Sequence, residues 1–282
     1  MRAFAVAAVA APCCLALDNG FDRPPMGWSG LYGAPFGAVN ETIMVRAAQG
    51  LNVSGLLAKG YEYITIDDWW ATRDPATGDI MGVPDKFPSG MKAVGQAIHA
   101  AGAKFGVYSA ASERTCGNYS ASLFNEKRDA HTLAIEWEID YLKYDACRYS
   151  FGVAGRARYE AMSRALNATG RKVFYSVEGW SPSDGDWGPE VANMWRTGAD
   201  IWPFWDTCIL HNLYQTNRAA QYNRYTMAAA GTLADHSGTR LPEVGHPCPA
   251  PHLIHSLAPT CVPPDQAVGL MMAICYSRRG AR

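Results

Sequence analysis

Strand-like and helix-like stretches alternate along the 282-residue chain, and that alternation restricts the possible folds more than any other feature. Short β-rich runs fall at 26–30, 61–67, 104–109, 140–145, 172–178, 194–200 and 225–231. Helical periodicity falls between them at about 43–58, 90–102, 125–138, 154–168 and 205–221, with a last stretch at 265–276. Parallel neighbours need a long crossover, which a helix supplies, so the repeat predicts a parallel sheet covered by helices. Seven strands in a row predict an α/β fold of the (β/α)8 TIM-barrel type. An open doubly wound sheet would carry a Gly-rich phosphate turn after its first strand, and neither G-x-G-x-x-G nor G-K-[ST] is present.

The strand ends hold the chemistry. They carry Trp28, Asp67-Asp68, Tyr108, Lys143 with Asp145, Glu178, and Arg196 with Asp200. In a barrel these ends converge on one pocket. DYLKYDAC (140–147) ends its run at Asp145, and MWRTGADI (194–201) reaches Asp200. Two carboxylates at such ends suit a retaining glycosidase, in which one attacks the anomeric carbon and the other protonates the leaving oxygen. The plain alternatives are an Asp145 that caps the next helix and an Asp200 paired with Arg196. Lys143, two residues before Asp145 on the same strand face, is expected to favour its charged form. Trp195, Trp202 and Trp205 are expected to bury Asp200 and favour its protonated form. Asp67-Asp68 reads as a hydroxyl-binding pair, with calcium as the rival, and the two tryptophans that follow favour sugar. Trp28, Trp69 and Trp70 offer flat faces for a sugar or fill the barrel core.

At these residues the chain resembles the family-27 glycoside hydrolases, which include α-galactosidases and α-N-acetylgalactosaminidases. The resemblance covers about 17–235 and rests on PPMGW (24–28), IDDWW (66–70), FPSGMKAV (87–94) and YLKYDAC (141–147), with YSVE (175–178) and WRTGADI (195–201) matching less closely. It implies Asp145 as nucleophile and Asp200 as acid/base. It also implies Asp67 and Asp68 on the sugar 4- and 6-hydroxyls, Lys143 on sugar hydroxyls, and Trp28 packed on the sugar. Tyr108 would sit beside the nucleophile, with Glu178 and Arg196 near the 2-position. It further implies a Cys116–Cys147 disulfide. A second family bridge is absent: its place after the double aspartate is taken by Trp69, and 29–45 holds no cysteine.

The ends of the chain are expected to differ in kind from its middle. Arg2, an apolar run to Ala11 and Cys14-Leu15-Ala16 read as a signal peptide, 1–16, cut before Leu17. Sequons at Asn40, Asn52, Asn118 and Asn167 and six remaining cysteines fit a secreted, lysosomal or vacuolar glycoprotein. Residues 17–282 read as one catalytic domain, divergent from about 236. After 230 the family's pocket-lining W-N-D-P-D-M-L loop is replaced, and no eighth strand or C-terminal antiparallel β domain follows. The expectation is an incomplete barrel of compromised stability. His246, Cys248, His252, His255 and Cys261 match no standard zinc spacing, and a bridged Cys248–Cys261 loop is expected instead.

A formal charge of −1 gives no sign of nucleic acid or an anionic membrane as partner, and no apolar stretch after the signal is long enough to span one. The expected partner is a small carbohydrate, with no metal or cofactor. Glu178, large and charged, argues for a free 2-hydroxyl, and both Asp67 and Asp68 argue for a hydroxymethyl group, hence galactose. A vestigial carbohydrate-binding protein is the alternative.

Overall fold

A computed structural model describes residues 19–21, 25–33, 37–147, 155–178 and 184–196. The strands are β1 (Gly27–Ser29), β2 (Tyr63–Thr65), β3 (Ala71–Arg73), β4 (Ile80–Gly82), β5 (Lys104–Ala110), β6 (Tyr141–Asp145), β7 (Phe174–Val177) and β8 (Met194–Trp195). The helices are α1 (Gly30–Gly33), α2 (Glu41–Val53), α3 (Met91–Ala100), α4 (Glu126–His131), α5 (Gly155–Ala168) and α6 (Asp184–Val191).

Six strands form one parallel sheet in the order β1-β2-β5-β6-β7-β8. Each strand lies beside its predecessor in the chain, with no reversal of order, as in a barrel and unlike a doubly wound sheet. The fold is an α/β barrel of the TIM type, and the described residues hold six consecutive strands of it. The strand expected at 225–231 and the helices at 205–221 and 265–276 lie outside the described residues.

Local sequence explains the helices. Asn40 caps α2, its side-chain oxygen accepting from the Ile43 N–H at 3.0 Å, and Met44, Ala48 and Leu51 then recur on the buried face. On α3 the buried residues are Met91, Val94, Gly95 and Ile98. Gly95 lets this helix approach the sheet, since a Cβ there would lie 2.9 Å from the Phe105 ring and 3.0 Å from the Trp137 carbonyl oxygen. The expected helix at 125–138 is instead α4 followed by a π turn over Thr132–Glu136.

Three local elements escape the sequence pattern: α1, α6, and the antiparallel hairpin β3-β4 between the second and third barrel strands. The strand expected over 61–67 stops at Thr65, so Asp67 and Asp68 lie in the turn beyond it. The strand expected at 194–200 is described only as Met194–Trp195, with Arg196 just past its end. Asp200 lies outside the described residues.

The two faces of the sheet follow the period of two. Outward residues such as Ile64, Phe105, Val107, Leu142, Tyr175 and Val177 join the main apolar cluster beneath the helices. Inward residues Tyr63, Tyr141, Phe174 and Met194 form a second, smaller cluster. Their rings pack closely, Tyr141 stacking on Phe174 at 5.6 Å. Two residues further along the same strand faces come Thr65, Lys143, Ser176 and Arg196, so an aromatic floor underlies a polar layer.

Candidate active site

The C-terminal ends of β2, β5, β6, β7 and β8 bring together Asp67, Asp68, Tyr108, Lys143, Asp145, Glu178 and Arg196, all buried. Parallel register explains the assembly. Tyr108 pairs with Lys143, which pairs with Ser176, and Ala110 pairs with Asp145. Lys143 and Asp145 therefore share the inner face of β6, and Glu178, two residues past Ser176, extends the face of β7.

Asp145 is held from two sides. The Tyr108 hydroxyl donates to its Oδ2 at 2.9 Å, and the Ala146 N–H donates to its Oδ1 at 2.6 Å. A disulfide joins Cys116 to Cys147, with a Cα separation of 5.0 Å, and ties the loop after β5 to the end of β6. The Cys116 sulfur lies 3.6 Å from Asp145 Oδ2, a contact without a proton, since a bridged sulfur has none to give. Cys116, Asp145 and Cys147 cluster within 4.8 Å by their ligand atoms, but sulfurs bonded to each other are not thiolate ligands.

Lys143 works across the pocket. Its ammonium donates to Asp67 Oδ2 at 2.7 Å and lies 3.1 Å from Glu178 Oε1. Its ammonium thus bridges carboxylates just beyond β2 and β7. Glu178 is 0% exposed and also accepts from Arg196 Nη1 at 3.3 Å. Arg196 thus pairs with Glu178, and the alternative pairing of Arg196 with Asp200 falls on a residue outside the described ones. Tyr108 is pushed well above its ordinary pKa, first by burial and then by Asp145, so its hydroxyl stays a donor.

Asp68 faces a different environment. It accepts from the Gly117 N–H at 2.6 Å and the Trp69 N–H at 2.7 Å, and also from the Thr115 side chain. Burial nevertheless raises its pKa, outweighing these bonds. Asp67 accepts from the Asp68 N–H at 2.8 Å. Its other oxygen is matched by the Lys143 ammonium, so protein groups hold both aspartates.

The three tryptophans divide. Trp70 belongs to the core: its indole N–H donates to the Tyr108 carbonyl at 2.9 Å and its ring meets Trp137 edge to face. Trp28, 2% exposed, is in register with Ile64 and in the main apolar cluster. Its indole N–H has no partner among the described residues. Trp69 is half-buried, with a left-handed φ of 68°. Trp195 does not line the pocket: it packs outward on α6, where a Cβ on Gly188 would lie 2.6 Å from its ring. Trp202 and Trp205 lie outside the described residues.

The cluster holds four carboxylates and two cations among the described residues. That excess disfavours an anionic ligand and suits one rich in hydroxyl donors. The family model described as alpha galactosidase A matches residues 33–238. The chain belongs to that family. Members similar to it include an α-galactosidase of Lachancea cidri, 41% identical over 190 residues, covering 65% of this chain and 40% of the relative. Alpha-galactosidase 3 of Arabidopsis thaliana is 43% identical over 197 residues, covering 68% and 44%. Among solved structures, the Saccharomyces cerevisiae α-galactosidase with raffinose superposes with a TM-score of 0.66 at 32% identity, covering 72% of this chain and 50% of that one. The chain spans about two fifths to half of the length of these α-galactosidase family relatives.

Sequence reasoning missed two residues that support this site. Thr115 and Gly117, which hold Asp68, sit in a loop without a motif of its own. The one available signal was adjacency to Cys116.

Proposed function

We propose that the protein is a retaining glycoside hydrolase that removes terminal α-D-galactose from oligosaccharides or glycoconjugates. Asp145 is the nucleophile and Asp200 the acid/base. One observation carries this reading: in a member of the α-galactosidase family, Asp145 lies at a strand end, both its oxygens held by donors, in a pocket with three further carboxylates.

The chemistry follows from the groups. The Tyr108 hydroxyl and Ala146 N–H orient the Asp145 carboxylate, leaving lone pairs to attack the anomeric carbon. As the new C–O bond forms, the bond to the leaving oxygen breaks and that oxygen takes the Asp200 proton. Water, deprotonated by Asp200, then displaces Asp145 and retains the configuration. Asp67 and Asp68 accept from the 4- and 6-hydroxyls, Lys143 donates to a sugar oxygen, and Glu178 with Arg196 borders the 2-position. The raffinose bound by the S. cerevisiae relative carries a terminal α-galactose, which supports this substrate class.

The test is release of nitrophenol from 4-nitrophenyl α-D-galactopyranoside by the full chain at about pH 5. Asp145→Asn should lower kcat by roughly a thousandfold or more. NMR of the first-released sugar should show the α-anomer. Folded protein that binds galactose without hydrolysing it would replace this reading with a binding-only one.

A further inference from the structure

The turn that carries Asp67 and Asp68 is bent at its far end. Trp69 follows them with a φ of 68°, a conformation that a bulky side chain keeps only where its surroundings fix it. An ammonium grips this turn from its far side. Lys86 Nζ donates to the Trp69 carbonyl at 2.7 Å and to the Gly37 carbonyl at 2.9 Å, and lies 5.3 Å from the centre of the Tyr119 ring. Three loops, those after β1, β2 and β5, meet at this one side chain.

The bend aims the backbone inward. The Trp69 N–H donates to Asp68, and the Asp68 N–H donates to Asp67. The indole closes the arrangement by lying against Gly117, where a Cβ would come within 2.7 Å of Trp69 Nε1 and 3.0 Å of Asp68 Oδ2.

We propose that Lys86 is a positioning residue for Asp67 and Asp68, acting through the backbone of Trp69. It sits between β4 and α3 and is absent from the group that faces the pocket. A lysine suits the task because its compact ammonium offers several donors to carbonyls that diverge from one point. The galactose arm of the test rests on the function proposed above, while the backbone arm does not.

The experiment compares the full chain with Lys86→Met, which keeps the stem and removes the ammonium, and Lys86→Arg, which restores charge and donors. Lys104→Met serves as control, because Lys104 pairs with Glu62 at the opposite end of the sheet. Amide exchange by NMR, thermal midpoint and galactose Kd are measured for each. Lys86→Met should speed exchange at the Asp68 and Trp69 amides while leaving β5 unchanged, and should raise the galactose Kd about tenfold. Lys86→Arg should recover most of both, and Lys104→Met should change neither. Should the Met variant fail to fold, Lys86→Gln, with a neutral donor, carries the same expectation at smaller size.

Unchanged exchange at 68 and 69 would overturn the proposal, as would uniformly faster exchange through the sheet. Faster local exchange with an unaltered Kd would overturn the sugar-positioning role. A wild-type chain that ignores galactose, yet whose variant loosens at 68 and 69, upholds the positioning and removes the galactose reading instead.

Discussion

Asp68 shows how a single residue can serve a site at a cost to the fold. Burial raises its pKa despite hydrogen bonds from Thr115, Gly117 and Trp69. A carboxyl whose folded pKa exceeds its unfolded value binds its proton more tightly when folded. Its contribution therefore favours folding at low pH and is lost as pH rises from the ordinary aspartate value of 3.8 through the folded value. Asp68→Asn removes that dependence. The variant's melting temperature relative to wild type should climb across this range, checked by calorimetry at several pH values, while galactose binding weakens. A relative melting temperature that does not change with pH would show that Asp68 is not held in this way. The residue type was legible in the sequence as half of an Asp-Asp pair. Its donors were not, since Gly117 acts through a backbone N–H that any residue possesses.

At the scale of elements, the β3-β4 hairpin is pinned to α4 by ion pairs, the most buried of them at Arg73. Arg73 makes a two-pronged contact with Asp129 at 2.9 and 2.7 Å, and also donates to the carbonyls of Gly78 and Ala121. Asp129 is 0% exposed at the start of α4. Removing one member of such a pair strands the other's charge, so Asp129→Ala should cost about 3 kcal/mol in a denaturant titration. A cost below about 1 kcal/mol would mean that water replaces the carboxylate. The hairpin itself was hidden in the sequence. Its strands have three residues each, too short for period-two patterning to stand out. The barrel strands β5, β6 and β7 were visible because longer runs buried on both faces leave a strong signal.

At the scale of the whole molecule, the sheet is knit in chain order and the site is drawn from five of its strand ends. The Cys116–Cys147 bridge closes a separation of 31 residues beside Asp145. Loop-closure entropy predicts that it stabilises by about 3–4 kcal/mol. A bridge of this kind fits an oxidising compartment, and we infer export with cleavage before Leu17. A eukaryotic secreted product should begin at Leu17 and carry no free thiol at Cys116 or Cys147, as read by N-terminal sequencing and mass spectrometry. The Cys116→Ser, Cys147→Ser double variant should unfold at lower denaturant. A retained leader or free thiols at those two positions would remove the export inference.

The sequence by itself determined the alternation of elements, the family, and which residues carry charge at the strand ends. Those features are local: they depend on periodicity and on motifs within a dozen residues. Only the tertiary structure decided who partners whom. Lys143 bridges Asp67 and Glu178, Arg196 meets Glu178, and Trp195 turns outward to α6. Lys86 gathers three loops that the sequence keeps far apart. Ion pairs and hydrogen bonds act over about 3 Å, so the register between strands and the course of the loops select them. No spacing along the chain encodes that selection.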